Sequence, residues 1–188
     1  MRTVIAHLLT TLDGVVELDA VVNRIIELRD KEVFDDFFAK VVDEDAMLLG
    51  RVTYQDWAGY WPTSAVEPFA GHINGVQKYI ASRTLKSVEW ATRGNARLLQ
   101  GDIAQSVTAL KQQAGGNIGV HGSPSLVESL LQAGVLDLLR LEIYPIIAGT
   151  GKRLFAAGTT SKQMTLVDSK TARNGVVILT YRPSTTSG

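Results

Sequence analysis

The sequence predicts an α/β fold whose central sheet is mostly parallel and ends in an antiparallel hairpin, and three observations carry that expectation. Short apolar runs bounded by glycine, "AMLLG" and "NIGVHG", have the character of strands covered on both faces. Between the strand candidates lie stretches with apolar residues at three-and-four spacing, the mark of helices with one buried stripe. Two extended runs then close the chain around Asn174 and Gly175, a dipeptide suited to a tight hairpin turn. Strands alternating with helices build a parallel sheet, and the final pair adds antiparallel strands to it.

Each element has its own justification. "TVIAHLLT" is aliphatic and β-branched and runs into the turn signal "LDG", so a first strand ends near Thr10. From Asp30 to Glu44, the residues Val33, Phe34, Phe37, Phe38 and Val41 form one stripe, with Asp35, Asp36 and Lys40 opposite, which predicts a helix. "AMLLG" is the next strand, and a second helix starts after it. Residues 54–75 carry Gly59, Pro62, Pro68 and Gly71 among Trp57, Tyr60 and Trp61 without a sustained period, and are expected to be a loop-rich excursion. "KYIASRT" and the shorter "ARLLQG" read as strands. Asp102 is placed to cap a helix with Ile103, Val107 and Leu110 on its apolar face, closed by Gly115 and Gly116. "NIGVHG" leads into a helix through Leu126, Val127, Leu130 and Leu131 that Gly134 ends. "DLLRLEIYPIIAG" is the longest strand candidate, and "MTLVDSKTA" and "VVILTYR" are the arms of the hairpin. One domain is expected over residues 1–183, with a disordered tail at 184–188.

At 188 residues the chain can bury a core without metal or disulfide staples. Its 19 basic and 19 acidic side chains leave no electrostatic footprint for nucleic acid or an anionic membrane, so a bound anion must be held by a local cluster. With no cysteine, thiolate catalysis, thiolate-bound zinc, iron–sulfur ligation and disulfides are all excluded. No metal site is expected, and a cytoplasmic location is. The N-terminal apolar run is interrupted by His7 and threonines and is followed by no small-residue cleavage site, so it reads as a strand rather than a leader. No segment approaches the length that spans a bilayer.

Ligands of parallel sheets sit beyond the carboxyl ends of the strands, and three strand ends here share one chemistry. Gly50, Arg51 and Thr53 follow the first, Ser82, Arg83 and Thr84 the second, and His121, Gly122, Ser123, Pro124 and Ser125 the third. Glycine lets a ligand approach the backbone, a helix start favours phosphate, and two arginines can clamp a second phosphate. A diphosphate with a separate phosphate fits the set, and NADPH carries both. Each residue alone has a plainer reading: Ser123 as a helix cap, with Ser125 and Glu128 at capping-box spacing, Arg51 as a solvated side chain, His121 as hydrogen-bonded structure. No G-x-G-x-x-G or Walker A loop is present.

"LLGRVTYQDW", "YIASRTL" and above all "IGVHGSPSLVESLLQAGVLDLLRLEIYPIIAGTGKRLF" resemble the dihydrofolate reductase-like family that includes the C-terminal reductase domain of the bifunctional riboflavin biosynthesis protein. The resemblance runs from "LLTTLDG" to the hairpin and is most specific from Ile118 to Phe155. It implies a three-layer dihydrofolate reductase fold, NADPH as hydride donor, a small-molecule substrate and a homodimer. By position it assigns Gly50, Arg51 and Thr53 to cofactor phosphates, Ser82 and Arg83 to the 2′-phosphate side, and Gly122 to Leu126 to the diphosphate turn, with His121 where the family usually has glycine. Asp13 matches an acidic position in the mobile loop beside the nicotinamide, which makes it the candidate proton donor; as a bare turn residue before Gly14 it is equally well explained. The family's zinc deaminase half requires cysteines and is absent.

The reaction expected on that resemblance is hydride transfer to a pterin-like or ribitylamino-pyrimidine-like molecule. A non-catalytic NADP(H)-binding protein of the same fold is the alternative. Trp57 and Trp61, with Tyr60, either wall a substrate ring or anchor their segment to the body. Glu32, Asp35 and Asp36 offer no choice of a pterin-holding carboxylate, and Lys152 and Arg153 stay unassigned.

Overall fold

The computed structural model describes residues 1–17, 19–155 and 159–184. The strands in chain order are β1 (Val4–Thr11), β2 (Glu44–Gly50), β3 (Gln77–Ala81), β4 (Ala96–Leu99), β5 (Asn117–Val120), β6 (Leu138–Tyr144), β7 (Met164–Thr171) and β8 (Val177–Pro183). The helices are α1 (Val22–Leu28), α2 (Lys31–Val41), α3 (Arg51–Tyr60), α4 (Phe69–Gly75), α5 (Ile103–Lys111) and α6 (Pro124–Gln132). All eight strands form one sheet in the order β4-β3-β2-β5-β1-β6-β8-β7. Every pairing from β4 to β6 is parallel, and β8 alone runs against its two neighbours. The expected α/β architecture with its closing hairpin is the one observed.

Period-two alternation places the two faces of the sheet in different cores. Val4, Ala6 and Leu8 of β1 join Ala46, Leu48, Ile118 and Val120 under α5 and α6. On the other face, Phe37 and Val41 of α2 pack with Met47, Leu49, Phe69, Ile73 and Trp90, and Ile25 and Val33 pack with Tyr144, Ile146 and Ile178. This second face also carries buried polar residues, among them His7, Glu44, Arg140 and Glu142.

Several boundaries differ from expectation, each for a local reason. The helix predicted from Asp30 to Glu44 starts where the Asp30 carboxylate accepts from Val33 N–H, but it stops at Val41, and Glu44 opens β2. The segment 54–75 is mostly helical: α3 continues to Tyr60, a 3₁₀ turn spans Trp61–Thr63, and α4 begins at Phe69. Gly59 is simply carried inside α3, and Pro62 sits in the short turn, where its missing N–H costs nothing. "DLLRLEIYPIIAG" ends as a strand at Tyr144, where Ile146 N–H turns back to the Tyr144 carbonyl, so β6 is shorter than β1 and β7. α1 lies in a stretch without a predicted element. Asp102 caps α5 as anticipated, accepting from Gln105 N–H. Of the predicted tail 184–188, residues 185–188 lie outside the described residues, while Ser184 donates its N–H to the Gln163 carbonyl. No helix among the described residues is long and apolar enough to cross a membrane.

Candidate functional site

β5 is four residues long and lies between two longer strands. Its last residue, Val120, pairs with Ala6 and Leu48, yet β1 runs on to Thr11 and β2 to Gly50. The carboxyl end of the sheet is therefore notched at β5, and the chain entering the notch is His121–Gly122–Ser123. Gly50 N–H donates to the Gly122 carbonyl at 2.8 Å, tying the start of α3 to the start of α6. A side chain on Gly50 would meet Ser123 Oγ at 2.5 Å, and one on Gly122, whose φ is +110°, would meet Thr53 Oγ1 at 2.9 Å. Glycine is needed at both places for the two helix starts to stand this close.

Those two starts share a second property. Among the described residues, Asp30 and Asp102 cap α2 and α5 with their carboxylates, whereas α1, α3, α4 and α6 have no side-chain cap, and of these α3 and α6 start together at the notch. Ser123 occupies the cap position of α6, but its hydroxyl contacts that of Ser125 at 3.0 Å instead of the backbone. The capping-box spacing is unused as well, since Glu128 accepts from Thr159. Two helix N-termini without side-chain caps thus meet at the notch, an arrangement that attracts phosphate.

The other phosphate-side candidates border this pair. Gly50 is in register with Ala81, which brings Ser82 and Arg83 beside Arg51. Ser82 is buried and its hydroxyl accepts from Thr84 N–H and Leu85 N–H, so it shapes its own turn. Arg51 and Arg83 are exposed, and Arg51 donates to Gln55 at 2.8 Å. Leu126 is buried in the core beneath, with its N–H on the Ser123 carbonyl.

Asp13 sits at the turn after β1 with every acceptor engaged. Thr11 Oγ1 donates at 2.6 Å, and Ala148 and Gly149 donate their N–H groups at 3.1 and 3.0 Å. Arg153 lies 3.9 Å from its carboxylate. The Thr11 hydroxyl and the Ala148 amide hold Asp13 down to about 2, so it is ionised near neutrality. The carboxylate fastens the loop after β6 to the turn after β1.

His121 turns its ring into the face beneath α2. Its Nε2 meets Glu44 Oε2 at 2.8 Å, and His7 Nε2 lies 2.8 Å from Glu44 Oε1 without hydrogen-bond alignment. Burial drives His7 down more strongly than Glu44 raises it. Burial alone would raise Glu44, yet His121 and His7 hold it well below the usual carboxylate range. The result is a buried anion between two imidazoles. Phe37 closes edge-on against both rings, and Trp57 lies 5.4 Å from His121. Trp57 also meets Trp61, and both pack on Phe69, so these tryptophans bind their helix to the core as well as bordering the notch.

Farther along the same face, Asp36 pairs with Arg140 and stands 3.4 Å from Lys170. Glu142 accepts from Tyr144 Oη at 3.0 Å and lies 3.8 Å from Arg29. Burial raises Glu142, outweighing Arg29. Asp36 is therefore the acid of α2 that reaches Arg140 on this face, a choice the sequence leaves open, while Glu32 lies 3.8 Å from Lys170 and Asp35 pairs with Lys31 on the outside. Pattern reading misses His7, Glu44, Arg140 and Glu142 as one constellation. The available signal was Gly119, a glycine inside an apolar strand, which marks a close approach: it leaves the room that Glu44 fills. A cavity of about 340 Å³ lies elsewhere, lined by residues including Val88, Trp90 and Gly94.

Residues 2–178 match the family described as the RibD C-terminal domain. The uncharacterized YyaP protein of Bacillus subtilis is 29% identical over 185 residues, covering 96% of this chain and 94% of YyaP. Among solved structures, a pyrimidine reductase-like protein from Corynebacterium diphtheriae superposes with a TM-score of 0.72 at 15% identity, covering 98% of this chain and 93% of that one. Dihydrofolate reductase from Enterococcus faecalis, complexed with NADP(H), gives 0.59 at 11% identity, covering 96% of each chain. At such identities these two likenesses concern the fold.

Proposed function

From its place in the RibD C-terminal domain family, to which the chain belongs, we propose that this protein is an NADPH-dependent reductase of a pterin-like or ribitylamino-pyrimidine-like small molecule. The observation that carries the reading is the pair of uncapped helix starts held together across Gly50 and Gly122. A dinucleotide fits this cradle: amides of α3 and α6 face its diphosphate, Thr53 and Ser125 add hydroxyls, and Arg51, Ser82 and Arg83 read the extra phosphate of the adenosine side. When bound, the cofactor supplies hydride; the protein supplies position, exclusion of water and a proton. Trp57, beside His121, is the proposed wall for the ring that accepts hydride, and Trp61 supports it. Asp13, ionised and fully engaged, serves in this reading to hold the 147–149 loop at the edge of the site. We further read the protein as a cytoplasmic homodimer, on the family resemblance and the absence of cysteine.

Titration of NADPH and NADH by calorimetry, followed by NADPH oxidation with dihydrofolate, oxidised pterins and the pyrimidine ribosylamine phosphate, tests the reading. Preference for NADPH and turnover of one acceptor are expected. Binding without any turnover favours the non-catalytic alternative, and failure to bind NADPH removes both.

A further inference from the structure

Two of the chain's three histidines flank one buried carboxylate. His121 and His7 hold opposite oxygens of Glu44, with their rings stacked 5.2 Å apart and 10° from parallel, and burial lowers His72 of α4 more than the same anion raises it. A glutamate and two histidines at this depth are costly where aliphatic packing would serve, as it does on the opposite face of the sheet. Among the described residues, both ring nitrogens of His7 and Glu44 Oε1 are buried without a hydrogen-bond partner. The cluster is thus incompletely satisfied, and it reaches the notch: His121, its ring buried, is the first residue there, next to the glycine that meets α3.

Resting on the reductase reading of this site, we propose that His121 is the acid of the reaction, that Glu44 positions it, and that His7 backs its ring. Reduction of a C=N or C=O group forms a new C–H bond from hydride and leaves an electron pair on nitrogen or oxygen. That atom takes a proton from Nδ1 of the doubly protonated imidazole: one N–H bond breaks, a new N–H or O–H bond forms, and the neutral ring recovers its proton from solvent. Glu44 accepts from Nε2–H throughout, which leaves Nδ1 as the nitrogen that can give. Charged and titratable groups facing the cluster are His72 from α4 and Arg140 from β6, in register with His7 and itself paired to Asp36 of α2. Asp13, ionised at the loop, has no proton to supply near neutrality.

With three imidazoles to assign, nuclear magnetic resonance of the histidine-labelled protein decides the matter using NADPH alone as the probe. His121 is expected to keep a proton on Nε2 whether or not Nδ1 also carries one, to lose that preference in Glu44→Ala, and to show an Overhauser contact with the C4 protons of bound NADPH. Bound NADPH whose C4 protons contact other residues and not His121 overturns the assignment. No NADPH binding at all overturns the reductase reading, and this inference with it, so the two failures are distinct. Should Glu44→Ala not fold, the wild-type Overhauser contact decides alone. With an acceptor that is turned over, His121→Gln should lower kcat by roughly 10²–10⁴ with KM for NADPH changed far less. Equal kcat in the variant refutes the acid role.

Discussion

Replacing Gly119 with alanine tests the buried cluster most directly, because a single methyl group would occupy the space of the Glu44 carboxylate. A Cβ built on Gly119 overlaps both carboxylate oxygens. The backbone cannot retreat, since Gly119 is paired on one side with Ile5 and on the other with Met47. Glu44 must therefore leave both imidazoles while remaining largely buried. Breaking a buried, hydrogen-bonded charge pair costs about 3–5 kcal/mol, and the lower chain entropy of alanine in the unfolded state returns about 0.4–1. The net loss is about 3 kcal/mol, which for a domain of this size lowers Tm by roughly 6–12 °C. Urea denaturation of Gly119→Ala should show it, in wild type and again in Glu44→Ala. In the second background the obstacle is gone and the substitution should be close to neutral. The reasoning is refuted if both backgrounds lose the same stability, within the roughly 0.5 kcal/mol that separates additive from coupled sites.

Three further outcomes follow from other groups. Arg51→Ala should weaken NADPH binding by roughly 10- to 150-fold, the worth of a charge-assisted hydrogen bond of about 1.5–3 kcal/mol, with little change in Tm because the guanidinium is exposed; unchanged affinity in calorimetry removes it from the cofactor set. Asp13→Asn should speed hydrogen exchange at the Ala148 and Gly149 amides while leaving exchange in β5 unaltered. The folded value of Asp13 is lowered, so its support of the loop is complete above the ordinary carboxylate range and fades as pH falls toward about 2. Lys78 is fully buried against the Asn74 and Val76 carbonyls and over Trp90, and burial lowers it to about 7. The unfolded chain then binds the extra proton between pH 7 and 10, so stability should rise across that window, and Lys78→Met should flatten the rise.

Burial pattern explains which parts of this fold are legible. "AMLLG" and "NIGVHG" announce strands because both of their faces are covered, and the Phe37 stripe announces α2 because only one of its faces is. The segment 54–75 defeats the same method: α3 buries Trp57 and Tyr54 against the core only in part, so its apolar period is weak, and Gly59 and Pro62 imitate loop signals. Gly50, Arg51 and the 122–126 turn are visible because residues after parallel strands have a known use. The buried cluster is not, because His7, Glu44 and His121 come from three distant stretches, and each of those stretches has an adequate local explanation.

β5 also explains why the two halves of the proposed site occur together. Its odd-numbered positions face α2, where Gly119 makes room for Glu44 and His121 delivers its ring to it. Val120, facing the other way, fastens the strand to β1 and β2. Gly122 then turns the chain up against Thr53 and Gly50. Four consecutive residues thus set the depth of the notch, the cradle on its rim and the imidazole on its floor. Because Val120 and Gly122 place the cradle without help from Glu44, the Gly119→Ala variant should disturb the histidine tautomer far more than it disturbs NADPH affinity. Parallel loss of both would mean that the cluster holds the notch open, and its part in proton transfer would have to be given up.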